Sequence, residues 1–244
     1  MKAYLKHKNL PWLALGAGVV GMLLRFWQLN TESSRGFIVQ GHISGILLFV
    51  LTLAFLAVLV IAVRPLLQAN KYEFNFPASQ VSAIGALAGA ACFAINGIGA
   101  LAGGSLLTGI SALIAAAALV LISHCRYKGI HATALAHIAI CVVLILRLLS
   151  LYRGWCADPQ MANYCYPLLA TVCLMCSTYH RATFNADFGQ RRFYTLFNLA
   201  GVYFSCLSIA GPTDHLFYLG AVCWLFTDQC NLTPMPHRFQ ERDE

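Results

Sequence analysis

The chain has 244 residues, of which 59% are hydrophobic and only 10% charged, and its mean hydropathy is +0.68. A soluble domain carries about 25% charged residues, so this chain has too little polar surface to cover a globule in water. That excludes an ordinary cytosolic enzyme, a disordered chain, a collagen and a disulfide-stapled secreted domain, and it predicts an all-α polytopic membrane bundle within a single integral domain, 1–244. The net charge is +7. Its basic residues are scattered between apolar runs rather than clustered with aromatics, so they read as topology determinants beside lipid and not as a nucleic-acid surface.

A spanning helix needs about 20 largely apolar residues. Eight stretches meet or approach that length: Leu10–Leu29, Gly41–Val63, Ala78–Ile95, Ser105–Ser123, Ile130–Leu151, Ala162–Tyr179, Phe193–Ile209 and His215–Cys230. The first follows Lys2, Lys6 and Lys8 and continues into Leu24-Arg25-Phe26-Trp27 with no small-x-small site, so it reads as an uncleaved signal anchor. The third and fourth are joined by the Gly-rich, uncharged stretch Asn96–Gly104, expected to be a tight or partly buried hairpin. Asp158-Pro159 reads as the capped start of the sixth. The eighth is short and contains Asp228, and it is either a span or an interfacial helix.

Counting Lys and Arg in the connecting segments sets the orientation. With the N-terminus inside, the inner segments hold Lys2, Lys6, Lys8, Arg64, Lys71, Arg126, Lys128, Arg181, Arg191, Arg192, Arg238 and Arg242, and the outer ones only Arg35 and Arg153. The expected topology is therefore N-in and C-in. Trp12, Trp27, Trp155 and Trp224 fall near span ends, where interfacial anchors belong. Small residues such as Gly85, Gly89, Gly97 and Ala112 make the third and fourth spans smooth, as close helix packing requires.

Arg25 and Arg147 are the strongly charged residues that fall well within spans, the first and the fifth. They lie 122 residues apart (147 − 25), half the chain, which suggests a 4+4 repeat of parallel halves, 1–122 and 123–244. A guanidinium inside a span is a fork of donors suited to carboxylate or phosphate. The two arginines, with Glu32 and Asp158 nearby in the outer loops, form the candidate binding set for a small anionic solute or a lipid headgroup. The competing reading is that both arginines snorkel to the headgroup layer.

No carboxylate is expected mid-span, which disfavours a proton relay and an intramembrane aspartyl protease. His131 and His137 are six residues apart and share no helix face. No metal site and no cofactor is expected, and no nucleotide loop, nucleophile elbow or zinc-protease motif is present. Cys156 and Cys165 should both face outward and could pair in an oxidising compartment.

The segment Leu151-Tyr152-Arg153-Gly154-Trp155-Cys156-Ala157-Asp158-Pro159-Gln160, followed by an apolar span ending in Tyr179-His180-Arg181-Ala182, resembles a group of uncharacterised multispanning proteins of anaerobic, gut-type Firmicutes. The resemblance implies a bacterial cytoplasmic membrane and about eight helices, and it implies no activity. Two functions remain open: binding or transport of a small anionic or amphipathic solute, and a structural, assembly or regulatory subunit acting through a protein partner. No catalytic constellation points to an enzyme.

Overall fold

The computed structural model describes residues 2–31, 33–34, 37–38, 43–66, 70–130, 134–155, 164–211 and 214–233. Among these, the chain forms α1 (Lys2–Thr31), a two-residue antiparallel pairing of β1 (Ser33–Ser34) with β2 (Phe37–Ile38), α2 (Ile43–Val63), α3 (Tyr72–Asn75), α4 (Gln80–Ala102), α5 (Leu106–Lys128), α6 (Ala134–Trp155), α7 (Cys165–Phe184), α8 (Arg191–Ile209) and α9 (His215–Cys230). A helix falls on each of the eight expected stretches. The short α3 was not expected.

Among the described residues, five helices are long and apolar enough to cross a membrane: α1 over Asn9–Asn30, α2, α4, α5 and α6 over Ala134–Arg153. Their surface is inverted relative to a soluble protein. On α2 the buried face is Ser44, Leu48, Phe55, Leu59 and Val63, while Ile46, Phe49, Val50, Leu53 and Ile61 are exposed. The same holds for Leu107, Ile110 and Leu121 on α5 and for Leu135, Ile138 and Leu149 on α6. A continuous apolar exterior of this kind is stable in lipid and a liability in water, so the structure is that of a membrane protein.

α8 sits at the centre, against α1, α2, α7 and α9, and every residue from Asn198 to Ser208 is buried. α4 packs on α5 and α9. Successive long helices alternate in direction, so the start of α4 meets the end of α5, where Ser79 N–H donates to the Arg126 carbonyl at 3.2 Å. The Ser79 hydroxyl caps α4 by accepting from Ser82 N–H at 3.3 Å, as an N-cap serine should. Gly129 ends α5 in the left-handed region at φ 69°, a conformation that glycine adopts without a Cβ penalty. Leu66, residues 70–79, the end of α5, the end of α7, the start of α8 and the end of α9 thus gather at one end, here called the basic end.

Two expectations change. Asn96–Gly104 is mostly helix: α4 runs to Ala102, and only Gly103, Gly104 and Ser105 form the turn. The glycines serve packing, since a Cβ on Gly97 would stand 3.0 Å from the Gly109 carbonyl of α5. Trp224 is buried in the middle of α9 and is no interfacial anchor. α9 packs in the interior of the bundle, with Phe217, Tyr218, Trp224 and Leu225 buried against α4 and α8. Gly89 and Gly220 let α4 and α9 touch backbone to backbone: a Cβ on either would stand 2.9 Å from the other's carbonyl oxygen.

Candidate functional site

The buried arginines and aspartate among the described residues collect at the two ends of the bundle. Away from the basic end, Arg25 of α1 is buried, donates from Nη1 to Gln28 Oε1 at 2.7 Å, and lies 5.2 Å from the Tyr166 ring of α7. Arg147 of α6 is buried, with Nη2 donating to Asp214 Oδ2 at 2.7 Å and its guanidinium 3.8 Å above the Phe217 ring of α9. Both arginines point inward, which a snorkelling arginine does not do. The carboxylate beside Arg147 is Asp214, just before α9, and it was not anticipated. It holds one edge of the guanidinium only, since Arg147 Nε is buried without a hydrogen-bond partner among the described residues. Glu32 and Asp158 lie outside the described residues, as does Cys156; Cys165 is exposed at the first position of α7.

The basic end holds a denser cluster, two of whose members, Arg126 and Arg181, were expected in the connecting segments. Asp228 of α9 is buried between two guanidinium groups, Arg126 of α5 and Arg181 of α7. Its Oδ1 accepts from Ser82 Oγ of α4 at 2.8 Å and from Arg126 Nη2 at 3.2 Å. Its Oδ2 accepts from the Tyr194 hydroxyl of α8 and pairs with Arg181 Nη1. Asn198 Nδ2 in turn donates to the Tyr194 hydroxyl at 3.0 Å. Arg126 completes its set with Nε on Ser82 Oγ at 3.2 Å and Nη1 on the Pro77 carbonyl at 2.8 Å. Both guanidinium groups lie over the Phe76 ring, at 5.3 Å for Arg126 and 4.4 Å for Arg181. Tyr72, Phe76, Phe184 and Tyr194 form a small aromatic core around them.

Arg191, at the start of α8, is also buried, and its hydrogen-bond acceptors are neutral: Asn75 Oδ1 at 3.2 Å and the Thr233 carbonyl at 2.6 Å. Among the described residues, three buried arginines therefore stand against one buried aspartate at this end. The sequence carried one signal of this, the carboxylate Asp228 inside an apolar stretch, which demands a cationic partner. It could not show that α5 and α7 continue past the apolar runs and carry Arg126 and Arg181 into the bundle.

Between the ends the interior of α8 is polar. Tyr194, Thr195, Asn198, Tyr203, Ser205 and Ser208 are all buried. The Tyr203 hydroxyl is 2.8 Å from Thr52 Oγ1 of α2, and Thr52 gives its own proton to the Leu48 carbonyl at 2.8 Å, so Tyr203 is the donor. Ser205 Oγ and Asn198 Oδ1 are buried with no partner among the described residues. A separate groove of about 450 Å³ runs along the outside of α4 and α5, lined by Gln80, Ile84, Leu87, Val120, His124 and Tyr127 among others. No Lys, Arg, Asp or Glu lines it.

No family model, no curated protein sequence and no solved structure matches the chain.

Proposed function

We propose that this chain is an integral membrane protein of a bacterial cytoplasmic membrane that binds a small anionic or amphipathic solute within its bundle and passes it between the two ends. The observation that carries the reading is the pair of buried arginines with open donors, Arg147 Nε at one end and Arg181 Nε and Nη2 at the other. Buried donors without acceptors are costly and are met by a ligand or by water. The polar interior of α8, which runs between those ends, supports a path. Arg25 and Arg147 form the outer contact, with Glu32 and Asp158 as its loop carboxylates. Asp214 occupies Arg147 until an acidic group displaces it.

In this reading all eight long helices cross the bilayer, with N-terminus and C-terminus inside and the basic end facing the cytoplasm. Reporters inserted after Lys71, Lys128 or Arg191 are expected to read cytoplasmic, and reporters at Ser33 or Asp158 external. A cytoplasmic signal at Asp158 contradicts the orientation and the span count together.

Vesicle flux tests the function. Proteoliposomes holding the full chain are loaded with phosphate, acetate or lactate, and efflux is compared with empty vesicles. The wild-type chain is expected to release at least one of these faster, and Arg147→Gln to slow that release by about tenfold or more, the loss of one charge-assisted contact. Efflux equal to that of empty vesicles for every probe overturns transport. The second reading, a structural or assembly subunit, is favoured by Asp228, whose donors tie α4, α5, α7, α8 and α9 together. It predicts no flux above that of empty vesicles, with or without Arg147→Gln.

A further inference from the structure

We infer that the free edge of Arg181 is an oxyanion-binding site that takes a carboxylate or phosphate group at the basic end, apart from Arg25 and Arg147. It deepens the reading above and rests on that reading only for the identity of the molecule carrying the group.

The argument begins with donors. Arg181 uses Nη1 on Asp228 and on the Tyr194 hydroxyl. Its Nε and Nη2, both buried, have no hydrogen-bond partner among the described residues. These two N–H groups point the same way from one edge of the guanidinium plane, the fork that receives the paired oxygens of a carboxylate or phosphate. Of the neighbouring acceptors, Asp228 and the Tyr194 hydroxyl are already taken, and the Tyr72 hydroxyl beside the guanidinium is neutral and offers a single oxygen to a two-donor edge. Each oxygen of Asp228 serves two donors, and the Tyr194 hydroxyl already faces Asn198 Nδ2 and Arg181 Nη1.

Charge decides between an anion and a water. Among the described residues, Arg126 and Arg181 share one carboxylate, which leaves one positive charge in excess, and Arg191 adds another whose hydrogen-bond acceptors are neutral oxygens. In a low-dielectric interior such an excess is strongly unfavourable. Water would satisfy the two N–H groups and leave the charge; an oxyanion satisfies both. Arg126 is not the reader, because Nε, Nη1 and Nη2 each have an acceptor. Arg181 stands one turn from the end of α7 at Phe184.

The test uses the full-length protein in detergent, with thermal unfolding followed in sodium phosphate and in sodium acetate against sodium chloride at equal ionic strength. Phosphate or acetate is expected to stabilise the wild type saturably. Arg181→Lys keeps a cation beside Asp228 and removes the fork, so it is expected to weaken that binding by about tenfold or more. Arg64→Gln, an exposed residue at the same end, is expected to leave it unchanged. A second arm compares nanodiscs of phosphatidylglycerol with nanodiscs of phosphatidylcholine. Stabilisation by phosphatidylglycerol that Arg181→Lys abolishes assigns the group to a lipid headgroup, and stabilisation by the free anions alone assigns it to a solute.

Should Arg181→Lys fail to fold, the wild type labelled with 15N-arginine answers directly, because a buried Nε–H signal moves on adding phosphate. Equal binding by Arg181→Lys, or no stabilisation and no shift in the wild type, overturns the site. Flux separates this from the transport reading. Binding without flux overturns transport and leaves the site in place; flux that Arg181→Lys leaves intact while the wild type binds no anion overturns the site alone.

Discussion

Asp228→Asn is expected to destabilise the protein more than any other single change of similar size. The carboxylate is buried, and both of its oxygens are saturated by Arg126, Arg181, Ser82 and Tyr194. Asparagine keeps one acceptor and replaces the other with an NH2 group that faces further donors. Two buried guanidinium groups then lose their only counter-charge among the described residues. Removing one partner of a buried ion pair costs about 3–5 kcal/mol, because the remaining charge stays desolvated. That is a large share of a total stability of roughly 5–15 kcal/mol. Thermal unfolding in detergent should show a large fall in midpoint. Adding Arg181→Gln to Asp228→Asn should cost little more, because the charge left behind is reduced; full additivity of the two losses contradicts the coupling.

The second large effect concerns the α4–α9 crossing. Gly220→Ala places a methyl 2.8 Å from Cys92 Cβ and 2.9 Å from the Gly89 carbonyl oxygen. Neither can swing aside, since one is bonded directly to the backbone and the other is backbone. Overpacking of this kind costs about 1–3 kcal/mol and forces helices apart. Here it would also shift α9, and with it Asp228 against α4 and α5. Gly89→Ala meets the same wall from the other side, at 2.9 Å from the Gly220 carbonyl. Gly99→Ala is the matched control, because nothing lies within 4 Å of its added methyl, and no loss is expected there. Equal midpoints for Gly220→Ala and Gly99→Ala contradict the close crossing.

The helices were legible in the sequence wherever apolar runs are long. α2 and α5 needed only length and hydropathy, and α9 coincides with its expected span, His215–Cys230. The ends were harder. α7 runs on to Phe184 through His180 and Arg181, because a buried partner on α9 makes an arginine tolerable one turn further in. Hydropathy sees only the cost of that arginine and closes the span before it. The inward position of Arg25 and Arg147 was legible as one of two alternatives, and burial separates it from snorkelling. The basic-end cluster was not legible, because its members come from five helices and no spacing in one segment announces a partner in another. Tyr194 illustrates this: in the sequence it is an aromatic near a span end, and in the fold it bridges Asn198 to Asp228.

The interior of α8 carries the same lesson. Its polar residues lower its hydropathy, and α8 is not among the five helices that meet the apolar criterion. A helix surrounded by other helices has no lipid to satisfy and can hold Thr195, Asn198, Ser205 and Ser208. That freedom is what makes it fit to line a path.

The most direct test of the account is a high-resolution map of the full chain in lipid nanodiscs with phosphate present. The account predicts density for an oxyanion within hydrogen-bond distance of Arg181 Nε and Nη2, with Asp228 still held between Arg126 and Arg181. A protein carboxylate seated on that edge, or water alone at saturating phosphate, would contradict it.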